Sequence, residues 1–154
     1  PATLQDIPII IGGGGKVKTP TLAGKYSEEF NIYAGPKEIL SNSISLFKEV
    51  AVEDGRDISK LEITTACPPV VGLTQDRVGE SLTAAAKALS QSEDEIANTW
   101  KEKSYLYGTP DEVAATLSMW QEVGIEAVYL QLLSLQEDNR NETIEVIKQA
   151  VELI

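Results

Sequence analysis

A chain of 154 residues, 42% of them hydrophobic, is long enough to bury an ordinary core and need not divide into more than one domain. Its net charge of -11 argues against a nucleic-acid partner, because phosphate backbones are held by clustered Lys and Arg. Histidine is absent, which removes Ser–His–Asp catalysis, a histidine-ligated metal and a histidine general base from this chain alone; no metal site is expected.

One cysteine excludes an internal disulfide framework and fits a reducing, cytoplasmic compartment. No run approaches the ~20 apolar residues of a membrane span, so no membrane partner is expected.

The first strand covers about Pro8 to Ile11, apolar on both faces as a buried parallel strand is. It runs into Gly12, Gly13, Gly14 and Gly15, and then into a basic island of Lys16, Lys18 and Lys25, set in the first 26 residues against Asp6 alone. Without Cβ atoms, successive N–H groups can point into one concavity and hold phosphate oxygens, with a lysine adding a charge-assisted bond. The spacing is not that of a Walker loop. It is also a poor dinucleotide fingerprint, since Val17 stands where a third glycine is needed. These residues alone leave two readings open: a phosphate cradle, or a turn that lets a strand and helix pack closely.

Thr19-Pro20 supplies an N-cap and a first-turn proline for a short helix ending near Tyr26. The second strand is Phe30 to Tyr33, followed by an Ala34-Gly35-Pro36 turn and a helix with Leu40, Ile44, Phe47 and Ala51 on one face. Gly55 suits its C-terminal end. Asn31, Tyr33 and Lys37 fall at or beyond the end of this strand, where they could face a ligand or serve the structure.

The third strand runs from Leu61 to Ala66 and breaks at Pro68-Pro69 before Val70-Val71. Cys67 reads as a small buried residue rather than a nucleophile. Thr74 caps a helix carrying Val78, Leu82, Ala85 and Leu89, and Ser92 with Glu95 forms a capping box for another. The stretch from Ala88 to Ser104 departs most from a regular pattern. Thr109-Pro110-Asp111-Glu112 opens a helix with Val113, Leu117 and Trp120 inward, ended by Gly124. The fourth strand, Ala127 to Leu133, contains one polar residue, Gln131. The final helix is expected to bury Ile144, Ile147, Val151 and Ile154.

Strands alternating with helices imply α/β architecture with a parallel sheet. Four units make either a small open sheet or half of an eight-stranded barrel, and periodicity does not separate these.

Four pieces in this order resemble the luciferase-like flavin- or F420-dependent oxidoreductases and monooxygenases. They are Pro8 to Gly14; Ala23-Gly24-Lys25-Tyr26 leading into Phe30-Asn31; Gly108 to Val113; and Gly124 to Leu133. The look is most like the actinobacterial-type group assigned to coenzyme F420. The resemblance implies a TIM barrel with FMN or F420 at its carboxyl-terminal mouth. It implies that Gly12, Gly13, Gly14 and Gly15 offer backbone N–H groups to the cofactor phosphate after strand five. It also implies, more loosely, that Asn31, Tyr33 and Lys37 lie near a small organic substrate.

The resemblance covers residues 1–154 as one domain but only strands five to eight of the family barrel. The expectation is therefore a piece of a longer polypeptide: four parallel strands each followed by helix, half a TIM barrel. It is expected to be inactive alone, and to form a homo-oligomer or pair with an amino-terminal half that covers its open edges. No residue is nominated as catalytic. A non-enzymatic module binding a phosphate ligand, or a TIM-barrel enzyme acting on a sugar phosphate, fits the same residues.

Overall fold

The computed structural model describes residues 7–132 and 137–154. Four strands form one parallel sheet in the order β1 (Ile10–Gly13), β2 (Glu29–Tyr33), β3 (Glu62–Cys67) and β6 (Ala127–Leu130). Their register places Gly12 beside Asn31, Asn31 beside Thr64, and Thr64 beside Ala127. Each crossover is helical: α1 (Lys18–Tyr26), α2 (Lys37–Glu53), then α3 (Gln75–Leu89), α4 (Glu93–Glu102) and α5 (Pro110–Val123), with α6 (Glu137–Glu152) last. This is the α/β architecture of parallel strands each followed by helix. Among the described residues β1 and β6 each pair with one strand only, which leaves the sheet with two free edges.

Alternation along the strands separates two faces. Phe30 and Ile32 of β2, with Ile63 and Cys67 of β3, are buried beneath the helices, where the Phe30 and Phe47 rings lie 5.2 Å apart. The opposite face carries Ile10, Glu29, Asn31, Tyr33, Thr64 and Tyr129. Ile10 and Tyr33 there are 55% and 64% exposed.

β3 stops at Cys67 because Pro68 and Pro69 cannot donate to a ladder. The chain resumes as β4 (Val70–Val71), paired not with the main sheet but with β5 (Tyr107–Gly108). Trp100 Nε1 donates to the Pro68 carbonyl at 2.8 Å and packs edge-on against Tyr105, so α4 buttresses the break. The irregular stretch expected between Ala88 and Ser104 is this helix and its flanks.

Helix ends follow local chemistry. Thr74 accepts from Arg77 N, and Ser92 with Glu95 and Thr109 with Glu112 form capping boxes. The last turn of α1 is closed from a distance: the Arg56 guanidinium donates to the carbonyls of Ala23, Gly24 and Ser27 at 3.3, 2.9 and 2.7 Å.

Four details differ from the sequence expectations. β1 is Ile10–Gly13 rather than Pro8 to Ile11, and Ile9 and Ile10 are about half exposed rather than buried. α1 begins at Lys18 with Val17 as its cap residue, so Thr19 and Pro20 lie inside the first turn. β6 ends at Leu130, Gln131 is exposed beyond it, and Leu133 lies outside the described residues. α6 buries Thr143, Val146 and Ala150 against its neighbours, while Ile144, Val151 and Ile154 are about half exposed. Among the described residues no helix is long and apolar enough to cross a membrane.

Candidate cofactor-phosphate site

The strands are parallel, so β1, β2, β3 and β6 end at one edge of the sheet, the edge where ligands bind in such folds. The four glycines occur there. Gly13 has φ +147°, in the range that favours glycine. A Cβ on Gly15 would come 2.5 Å from Thr19 Oγ1, and one on Gly14 would come 3.0 Å from Tyr33 Cδ2. The turn is thus pressed between the start of α1 and the end of β2, which supports close packing as one reason for the glycines.

The first turn of α1 is also arranged for an anion. No side chain caps it, and it contains no acidic residue. The N–H groups of Lys18 and Thr19 stand at the positive end of the helix, where a helix leaves its first donors without intrahelical partners. A concavity of about 330 Å³ opens beside the turn, lined by Gly14, Lys16, Tyr33, Gly35, Lys103 and Tyr105 among others. Of its charged lining, Lys16 and Lys103 outnumber Glu102. Burial pushes the Tyr105 phenol above its usual range, with smaller contributions from Cys67 and Tyr33. A larger concavity of about 480 Å³ lies at the start of β6, against Lys48, Trp120 and Val151, on the edge of the sheet away from strand carboxyl ends. The smaller one is therefore the better ligand candidate.

The predicted site residues are distributed unevenly. Gly14 and Tyr33 meet in the concavity. Asn31 lies one pleat below Tyr33 on the open face, its Nδ2 donating to Thr64 Oγ1 at 2.8 Å. Lys37 points elsewhere and pairs with Glu122 of α5 at 2.5 Å. Cys67 is fully buried, with its thiol pushed up to about 11 by desolvation. The sequence reading missed Lys103 and Tyr105, which reach the site only because α4 folds back. It also missed Glu29, Thr64 and Tyr129, which converge only once the strand register is known. Among the described residues no group of Cys, Asp and Glu is arranged to hold a metal ion.

No family model matches the chain, and no curated protein matches it by sequence. Solved structures do match its fold. An F420-dependent secondary alcohol dehydrogenase bound to an F420–acetone adduct is 25% identical; the match covers 94% of this chain and 49% of that one, with TM-score 0.69. The monooxygenase RslO1 from Streptomyces bottropensis is 16% identical over 98% of this chain and 49% of its own, with TM-score 0.72. The coenzyme F420-dependent tetrahydromethanopterin reductase from Methanopyrus kandleri is 16% identical over 95% and 50%, with TM-score 0.67. The fold is that of the F420- and FMN-dependent luciferase-like enzymes, the superfamily that the sequence motifs resemble. The chain spans about half the length of these structures.

Proposed function

We propose that residues 1–154 are the carboxyl-terminal half, strands five to eight, of a luciferase-like oxidoreductase barrel, and that this half holds the phosphate end of F420 or FMN. The observation that carries the proposal is the glycine turn at the end of β1, with Gly13 at φ +147° beside the uncapped first turn of α1. Gly13 to Gly15, Lys18 and Thr19 would supply N–H donors, and Lys16 a charge at the same mouth. When bound, such a cofactor supplies hydride transfer as F420 or monooxygenation as reduced FMN. The residues of this chain bind and orient one end of it. Tyr33 borders the space beside the turn, where a small organic substrate or the body of the cofactor would lie, and Asn31 stands one pleat below it on the open face. Lys37, engaged by Glu122, is the weakest of the three for that role.

The ring of the cofactor would rest mainly on a complementary half-barrel. Free edges at β1 and β6, and the half-exposed Ile144 and Val151 on α6 with Ile154 just beyond it, support pairing with such a half or with a second copy of this chain.

Fluorescence titration with F420 and with FMN tests the proposal, using this chain alone and mixed with or extended by a complementary half-barrel. Binding that requires the extended form, or tightens with it, supports a site shared between halves. A form that binds inorganic phosphate but neither cofactor would indicate a phosphate-binding module without oxidoreductase chemistry. Binding of nothing would contradict the proposal.

A further inference from the structure

On the open face of the sheet, Glu29, Asn31, Thr64 and Tyr129 form one hydrogen-bonded chain. Thr64 Oγ1 donates to Glu29 Oε1 at 2.5 Å, and the Tyr129 hydroxyl donates to Glu29 Oε2 at 3.2 Å. Glu29 is 7% exposed and Thr64 1% exposed, so the Thr64–Glu29 bond is made away from bulk water, while Tyr129 closes the chain from a half-exposed position. A hydroxyl has one proton to give, and a carboxylate only accepts. With its proton committed to Glu29, Thr64 can offer Asn31 nothing but a lone pair. Asn31 must therefore turn its amide nitrogen toward Thr64, as the 2.8 Å bond shows, and its carbonyl oxygen away. That oxygen lies on the side of Gly12, 3.8 Å from where a Cβ on Gly12 would be. Gly12 has no side chain to fill the space, and among the described residues Asn31 Oδ1 accepts no hydrogen bond.

A fixed acceptor thus stands on the same mouth as the glycine turn, one strand position from Gly13. We infer that Asn31 Oδ1 accepts from a hydroxyl of a hydroxyl-bearing phosphate ester whose phosphate occupies the glycine turn, and that Thr64 and Glu29 are positioning residues that lock the amide in this orientation. This selects ligands with a donor next to the phosphate over phosphate esters that lack one. The inference rests on the phosphate site proposed above, and it adds a specificity that phosphate binding alone does not require.

The test compares two probes by amide shift titration of the full chain: ribitol 5-phosphate, which carries hydroxyls, and propyl phosphate, which does not. The expected result is a five- to tenfold tighter Kd for ribitol 5-phosphate, about the value of one hydrogen bond. Thr64→Val frees the Asn31 amide to flip and should bring the two affinities together with propyl phosphate unchanged. Thr64→Ser, which keeps the hydroxyl, should restore the preference. Asn31→Ala, which removes the acceptor itself, should also abolish the preference. Equal binding of both probes by the unmodified chain, or an undiminished preference in Asn31→Ala, overturns the inference while the phosphate site stands. A preference that persists in a folded Thr64→Val overturns the positioning role. Failure of both probes to bind removes the phosphate site itself and the inference with it.

Discussion

The ring of Tyr33 lies directly against Gly14, so close that a Cβ on that glycine would come within 3.0 Å of Tyr33 Cδ2. The end of β2 therefore shapes the turn after β1. Tyr33 is 64% exposed and has room to rotate outward. Gly14→Ala is expected to change stability by less than ~0.5 kcal/mol, as exposed substitutions usually do. It should nevertheless weaken phosphate-ester binding several-fold, because the displaced ring alters the concavity. Urea unfolding and the probe titration, run on the same sample, separate the two effects.

Gly24 behaves differently. It sits where α1 crosses α2, and a Cβ there would lie 2.6 Å from the Phe47 carbonyl oxygen and 2.9 Å from Val50 Cβ. Backbone cannot yield as an exposed ring does. Gly24→Ala gains up to ~1 kcal/mol of helix propensity but overpacks a buried crossing, a cost of ~1–3 kcal/mol. The expected outcome is net destabilisation of about 1–2 kcal/mol, read as a lower urea midpoint with unchanged slope.

Arg56 holds three carbonyls at the end of α1 and also lies 3.7 Å from Glu28. Its removal leaves those carbonyls short of donors. Arg56→Met should cost roughly 2 kcal/mol, in line with charge-assisted bonds to backbone. Arg56→Lys should recover little of it, since an ammonium cannot span three acceptors as the guanidinium fork does. Thermal unfolding of the three proteins checks this order.

Glu142 ties α6 to the start of α3. It accepts from Arg77 Nε at 2.8 Å and from Leu73 N at 3.1 Å, and the bonds from Arg77 hold its carboxyl below the usual range. A depressed carboxyl pKa contributes stability that is present above the unfolded-state value and lost as pH falls through the folded one. Stability should therefore decline on acidification below about pH 4.3, the ordinary Glu value. Glu142→Gln should be less stable by about 1 kcal/mol at neutral pH, with the gap to the unmodified chain closing toward pH 3. Denaturant curves at several pH values give the result, and a gap independent of pH would refute the assignment.

Cys67 is buried with its thiol pushed up to about 11, so little thiolate exists at neutral pH and no reagent reaches it. A disulfide reagent at pH 8 should react with the folded chain far more slowly than with the chain in urea. Fast reaction in the folded state would show that the β3 end opens.

Local chemistry made several of these features readable before the fold was known. Thr74, Ser92 with Glu95, and Thr109 with Glu112 mark helix starts because a cap is made within three residues of sequence. Pro20 misled by two positions: proline fits throughout the first helical turn, where no N–H partner is needed, so it marks the turn rather than the cap. At the final helix, apolar spacing pointed to Ile144, Ile147, Val151 and Ile154; Ile147 packs partly buried against the core, yet the fully buried positions are Thr143, Val146 and Ala150. Thr143 and Ala150 on the packed face carry little hydropathy signal, while the strongly apolar Ile144 and Val151 are left about half exposed. Val70-Val71 was legible as a segment beyond the prolines, but its pairing with Tyr107–Gly108 was not, because two-residue strands have no period. The Glu29–Thr64–Asn31 chain could not be read at all, since it depends on the register between strands more than thirty residues apart. The glycine turn was legible as a candidate because a strand ending in four glycines beside lysines is unusual chemistry in itself, while its contacts with Thr19 and Tyr33 needed the fold.

The most direct measurement is the map of backbone amide shifts when FMN is added to the isotope-labelled chain. The largest changes are expected at Gly13, Gly14, Gly15, Lys18 and Thr19, with inorganic phosphate producing a subset of the same changes. Shifts confined to the concavity by Trp120 and Val151, or no shifts at the glycine turn at millimolar FMN, would contradict the assignment of this half-barrel to the phosphate end of a flavin-type cofactor.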